Sequence, residues 1–439
     1  MKHSNNSDAH SLLWGHDDLV RRLCSALDIA SKVITRLAPN GYTDSTDPSL
    51  SVRPEKAISE TAVLLLAASR TPDYPEVRRR TSELAQSLIP HARSKRMQLG
   101  VCLEPALALD FAQAHTCLKC LGYPDSGFDT LLEQSVLSQA HAGKERPPHR
   151  VLEQKWTGEL SGHLSAGLSK RSRHAAASSV LCYPVDLLSC GREDVYAFTH
   201  ALMFAADVDV GVRRLPRNRA AILSEAEALL AWCLDECDYD LGGEVLLAWP
   251  LTGTSWSAGA AFGFRVLAHV EDAAGFLPCA ATRIERLNKL QGDERANYLL
   301  ATIYHTAYVM GLICAAALRP GRAPPARVPR AKWQRGATEL ILRHLGTEGS
   351  SAHWRAEIDR LRARERDALA AFVLAVALRS KVRVRDFEAV RDLLRMAYEL
   401  GLANSPASSQ AAEMLNRLAL FEELTCDIHR DRQPASVAA

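Results

Sequence analysis

The sequence predicts an all-α protein, and three observations carry that prediction. In nearly every segment apolar residues recur at i, i+3, i+4 and i+7, the spacing of one helix face. Strict apolar/polar alternation, the mark of a half-buried strand, is almost absent. The breaks between periodic stretches carry turn residues: Pro39-Asn40-Gly41, Thr71-Pro72-Asp73, Gly122-Tyr123-Pro124-Asp125 and Pro320-Gly321.

Taken in order, the periodicity predicts helices over 10–38, 55–71, 75–93, 104–121, 127–141, 150–166, 192–206, 217–237, 256–271, 292–318, 330–346, 351–379, 384–401 and 407–425. Glu104-Pro105 reads as a helix start, because a first-turn proline gives up no helical hydrogen bond. Lys144 to His149, KERPPH, stops one helix and restarts the next. Residues 39–54 are polar and read as a connector. Residues 167–191 are Ser/Ala-rich around Tyr183-Pro184 and allow a short strand or two near 180–187. The most apolar stretch, Tyr298 to Leu318, approaches the roughly 20 residues that span a bilayer. It contains Tyr304, His305, Thr306 and Tyr308, and no second spanning candidate accompanies it. It reads as a buried helix.

This many helices exceed one simple bundle. The expected architecture is a large helical array, α/α-toroid-like or built of stacked helical hairpins, over residues 1–320. A Pro/Arg linker follows at 321–330, GRAPPARVPR. Residues 331–425 are expected to form a C-terminal helical bundle, and 426–439 a flexible tail.

Composition narrows the function class. The 439 residues are 47% hydrophobic, with 53 Lys plus Arg against 51 Asp plus Glu, a net charge of +2. That balance argues against a nucleic-acid coat. It hides an asymmetry: residues 319–439 carry 21 basic and 15 acidic side chains, a net +6, which leaves −4 for the rest. The densest run, RAEIDRLRARERD from Arg355 to Asp367, interleaves the signs at helical spacing and reads as a solvated, salt-bridged face. The N-terminus, MKHSNNSDAHSLLWGHDDLV, lacks the apolar run of a secretory signal, so a cytoplasmic location is expected, with no membrane and no nucleic-acid partner. The 11 cysteines lie mostly in apolar helix patterns and read as small buried hydrophobes. Cys117/Cys120 and Cys233/Cys237 lack the turn glycines of a structural zinc site.

The functional lead is a recurring histidine. A helix carries a small or aromatic residue, then His, then an apolar run and a turn, at Ala114-His115-Thr116, Thr199-His200-Ala201 and Tyr304-His305-Thr306. Histidine changes charge near neutral pH and suits proton transfer or metal binding. Helices at equivalent places in a closed array would aim His115, His200 and His305 at one cavity. In CDYDLGGEVLLAWP, Asp240 and Glu244 share a face if the segment is helical. Gly242-Gly243 permits close approach of a ligand or another helix. His200, His305, Asp240 and Glu244 therefore form a two-histidine, two-carboxylate set for acid/base work or a divalent metal. Capping is the plainer role for Asp240. Glu104 and Asp110 offer a second acidic patch beside His115. No GxGxxG, GxxxxGK[ST], HExxH, GxSxG or DDxxD occurs, so NAD, ATP, zinc-protease, serine-hydrolase and ionisation-type terpene cyclase chemistry lack support.

Four stretches, AQAHTCLKCLGYPD, ERPPHRVLEQKW, YAFTHALMFAADV and YLLATIYHTAYVMGLICA, resemble an uncharacterised all-helical family associated with actinobacterial natural-product gene clusters. They span most of 100–325. The resemblance implies a specialised-metabolism setting and transfers no catalytic residue. The expected function is a small-molecule enzyme using His/carboxylate acid/base chemistry (cyclisation, isomerisation or elimination), with a divalent metal or no cofactor. The alternatives are a helical-repeat scaffold or regulatory protein that binds a partner protein or peptide, and a non-catalytic small-molecule binder. The sequence assigns no oligomeric state.

Overall fold

A computed structural model of the chain describes residues 15–37, 41–44, 47–71, 74–138, 144–163, 175–206, 215–330, 335–345 and 352–431. Among the described residues the fold is all-α apart from one small antiparallel pair, β1 (Tyr42–Asp44) and β2 (Asp47–Val52). The first half holds α1 (His16–Thr35), α2 (Pro54–Ala68), α3 (Pro75–Ala92), α4 (Lys95–Leu103), α5 (Ala108–Cys120), α6 (Ser126–Leu137), α7 (Pro148–Ser161) and α8 (Arg192–Ala206). The second holds α9 (Arg219–Asp235), α10 (Tyr239–Leu246), α11 (Ala248–Thr252), α12 (Ala258–Ala274), α13 (Ile284–Leu287) and α14 (Gly292–Ala317). The C-terminal region adds α15 (Ala337–Leu342), α16 (His353–Asp359), α17 (Ala363–Asp367), α18 (Ala370–Arg383), α19 (Phe387–Glu399) and α20 (Pro406–Asp431).

Local chemistry starts and stops these helices. Proline stands in the first turn of α2, α3 and α7. Ser94, Asp125, Asn218, Asp238, Ser257 and Asp386 cap with their own side chains. Gly162 and Gly275 end α7 and α12 in the left-handed conformation.

Several sequence expectations need correction. Strands occur at 42–52, read above as a connector, and not near 180–187, where a 3-10 turn, Val180–Cys182, runs instead. The single helix expected over 351–379 is three, because Arg360–Arg362 and Ala368–Leu369 interrupt it. Most of the charge-dense run therefore lies on α16 and α17 rather than on one long solvated face. Within it Glu357 is buried and takes Arg265, His269 and Arg360. Helices α4, α11 and α13 were not anticipated, and α10 entered only as the condition for pairing Asp240 with Glu244.

The packing order closes on itself. Helix α2 packs on α5, α5 on α7, α7 on α8, α8 on α10, α10 on α14, and α14 back on α2. An outer set covers this ring: α1 lies on α14, α3 on α1 and α2, and α9 and α12 on α10. Helix α14 is the one described helix long and apolar enough to cross a membrane, and 78% of its apolar window is buried inside the protein. Beyond its exposed first turns, α14 is covered by α1, α2 and α10, hence apolar residues on most of its sides. The C-terminal helices dock on the outer layer, α18 against α9 and α16 against α12. The Pro/Arg segment is itself pinned to the body: Trp256 Nε1 donates to Arg322 O at 2.9 Å, and Arg322 donates to Pro250 O at 2.6 Å.

One glycine sets the distance between two ring helices. A Cβ at Gly243 would meet Val309 Cγ1 at 2.6 Å, well inside van der Waals contact, whereas one at Gly242 would meet Cys233 Cβ at an ordinary 3.5 Å. Gly243→Ala is therefore expected to destabilise the fold by about 1–3 kcal/mol through overpacking. Gly242→Ala is expected to be neutral or to stabilise by up to about 1 kcal/mol through helix propensity. Urea unfolding of the two variants checks this. Equal effects would mean that α10 and α14 do not touch closely at Gly243.

Candidate functional site

The ring surrounds a partly open cavity of about 770 Å³ to which each of its six helices contributes. That size falls in the range that holds most of a small organic ligand. Its apolar wall includes Val63, Phe111, Met203, Phe204, Leu247 and Val309.

Helix α10 builds the polar end. Asp238 caps it, accepting from Leu241 N at 3.2 Å, so capping falls to Asp238 and not to Asp240. Asp240 and Glu244 then stand one turn apart on the same face. Close approach at Gly243 brings that face to α14, where His305 Nδ1 meets Asp240 Oδ1 at 2.6 Å. Arg192, at the start of α8, holds the other Asp240 oxygen at 3.2 Å and also grips Asp238. The far nitrogen of His305, Nε2, lies 3.5 Å from Glu60 Oε1 and 4.0 Å from Glu244 Oε1. Glu244 is 3% exposed, and Thr199 donates to its Oε2 at 2.6 Å. His200 Nε2 lies 3.8 Å from Glu244 Oε1, and the His200 ring stacks on Tyr196 at 3.9 Å between centroids.

Electrostatics set the protonation. Burial alone would lower the His305 pKa. Asp240, Glu60 and Glu244 more than offset that and raise it to about 10. Asp240 is held below the ordinary carboxylate range: burial would raise it, and the His305 and Arg192 charges win. His305 is thus an imidazolium at neutral pH. Nearby His149 goes the other way, pushed down to about 4 by burial and then by His200 and Arg150.

Of the five residues singled out from sequence, His200, His305, Asp240 and Glu244 come together, and His115 does not. His115 is 0% exposed in the core between α5 and α6. It stacks on Phe128 at 4.3 Å, takes a hydrogen bond from Arg93 Nε at 3.3 Å and meets Asp129 at 3.1 Å. The reason is helical phase: five residues turn a helix by about 140° beyond a full circle, so Asp110 faces the cavity while His115 faces away. The acidic patch expected beside His115 accordingly lines the cavity, with Glu104 and Asp110 both on its wall. Sequence reasoning missed Glu60, Arg150 and Arg192. Glu60 had a usable signal, a lone carboxylate inside the apolar run ISETAVLLLAA of α2.

As a metal site the set is narrower than expected. Asp240, Glu244 and His305 offer ligand atoms within 4.8 Å of one another, and His200 falls outside that group. Both Asp240 oxygens are already engaged by His305 and Arg192. An ion there would have to displace the His305 proton. The arrangement is first an imidazole oriented by a carboxylate.

A family model described as a domain of unknown function, DUF6895, matches residues 23–315. The chain belongs to that family. No curated protein and no solved structure matches the chain. The DUF6895 match runs from within α1 to the last turn of α14, so it takes in the whole ring and every cavity residue. The C-terminal helices from α15 onward lie outside it.

The His305 pKa lies above its ordinary value of about 6.5, so the Asp240–His305 pair contributes stability fully below about pH 6.5 and loses it as the pH rises toward about 10. Asp240→Asn is expected to cost about 1–3 kcal/mol at pH 6 and much less at pH 10, measured by urea unfolding. A pH-independent difference would contradict the pairing.

Proposed function

We propose that this DUF6895 member is an enzyme that moves protons on a small molecule held in the ring cavity. The observation that carries the reading is convergence. Asp240 and Glu244 from α10, His200 from α8, His305 from α14 and Glu60 from α2 meet beside one cavity whose accessible surface is mostly apolar. A satisfied structural ion pair does not need a cavity of about 770 Å³ in front of it.

The roles follow from the contacts. Asp240 fixes the His305 ring through Nδ1 and leaves Nε2 toward the cavity, the orientation that lets an imidazolium act as a general acid. Thr199 ties down one oxygen of Glu244 and leaves the other toward His200 and His305, where a carboxylate can accept a proton. One group that takes a proton beside one that gives a proton is the minimum for isomerisation, elimination or cyclisation, and it needs no organic cofactor. We carry two settings as part of the proposal. One is specialised metabolism, from the resemblance described above. The other is the cytoplasm, with which the free thiols of the described cysteines are compatible. The cluster of titratable side chains on the wall of one cavity supports this reading over a scaffold.

The test is incubation of the purified chain with fractionated small-molecule extracts in D2O, followed by mass spectrometry. A compound that gains one mass unit, or is converted with deuterium uptake, is the expected result. His305→Gln and Glu244→Gln should each slow it by about 10²–10⁴-fold. His115→Gln should lower stability and leave the rate within about twofold. Full rates in both site variants would end the acid/base reading. Metal analysis separates the metal-assisted version, which requires a stoichiometric ion after reconstitution.

A further inference from the structure

The cavity carries a second polar cluster that the proton-transfer set does not use. Arg150 on α7 donates to Glu153 at 2.6 Å and to the Tyr196 hydroxyl at 2.7 Å. A guanidinium has five N–H groups, so further donors remain on a fork whose plane these two bonds hold still. The Tyr196 oxygen accepts from Arg150, which leaves its own proton for a ligand. Burial pushes that phenol well above its ordinary range, so the proton stays on. Arg150 and Tyr196 both line the cavity. Two convergent donors, one of them cationic, form a seat for a negatively charged oxygen pair.

The surroundings limit the charge. Glu153 and Asp110 lie beside this seat, Asp110 accepting from Gln154 at 3.0 Å and from Arg146 at 3.2 Å. One guanidinium flanked by carboxylates suits a single negative charge and repels a double one. The position also matters. The Tyr196 ring lies on His200, one helical turn along α8, so a group seated here abuts the proton-transfer set. The remaining wall mixes apolar residues, among them Met203, Phe204 and Leu247, with polar and charged ones such as Lys56 and Arg96.

We infer that the substrate is a carboxylic acid with an apolar body, its carboxylate seated on Arg150 and Tyr196 and its neighbouring carbons presented to His200, Glu244 and His305. The inference rests on the proposed reading for its chemistry and is tested by binding alone, so the two can fail separately. Titration calorimetry on the full chain compares 3-phenylpropanoate with 3-phenylpropanamide and phenyl phosphate. The acid is expected to bind at least tenfold tighter than either comparator. Arg150→Gln should abolish that preference, and Arg150→Lys, which keeps the charge without the fork, should retain only part of it. Tyr196→Phe should weaken the acid several-fold and leave the amide unchanged. Circular dichroism establishes that each variant is folded. If Arg150→Gln does not fold, the lysine and phenylalanine variants decide. No binding of the acid at millimolar concentration, equal binding of the amide or phosphate, or an acid preference that survives in folded Arg150 variants would each overturn the inference.

Discussion

The structure depends on the approach of α10 to α14. Helix α10 is only eight residues long, and its propensity alone could not hold it in place. It is fixed by a left-handed turn at Cys237, by the Asp238 cap and by packing on α9, α12 and α14. Because Gly243 has no side chain, Val309 can lie where a Cβ would stand. That contact brings Asp240 within 2.6 Å of His305. Move the helices apart by the width of a methyl group and the hydrogen bond is lost, the imidazole loses its strongest attraction, and Glu244 no longer reaches toward it.

The same closeness recurs on the far side of α14. A Cβ at Gly311 would meet Ala26 and Leu64 at 2.7 and 2.8 Å, so α14 is also pressed against α1 and α2. Tyr308 adds a polar tie, its hydroxyl 2.8 Å from Thr61 on α2. The helix that carries His305 is thus held closely on two sides. This rigidity has an energetic side. Three carboxylates around a half-buried imidazole would repel one another if the ring shifted, and the charge balance works with His305 protonated and with Lys56 and Arg192 at the margins. Burying such a cluster costs stability that an apolar core would not, which argues for its use in chemistry.

The all-α class was legible because helix periodicity depends only on local spacing, and the long, strongly periodic stretches at α3, α8 and α14 were located to within a residue or two. What failed was set by tertiary contacts. The strand pair at 42–52 has no alternating pattern strong enough to announce it. Three short helices replaced one near 360 because buried Glu357 and the α16–α12 contact outweigh the continuous propensity of RAEIDRLRARERD. At the site, Asp240 and Glu244 could be paired by i,i+4 spacing, and His200 and His305 by their similar helix contexts. His115 shared that context and still faced the core, because flanking residues do not report which side of a helix the ring will see. Arg150 and Arg192 were invisible for the opposite reason: the contacts that bring them to the site, Arg150 to Tyr196 and Arg192 to Asp238, each span 46 residues of sequence.

The central claim is that Asp240 holds His305 as an oriented imidazolium at the edge of the ring cavity. The most direct measurement is nitrogen-15 NMR of the histidine side chains across pH 6 to 11. The account predicts that the His305 ring keeps both N–H protons past pH 9, with a strongly deshielded Nδ1 proton that disappears in Asp240→Asn. A His305 ring that is neutral at pH 7.5, or whose titration Asp240→Asn leaves unchanged, would contradict it.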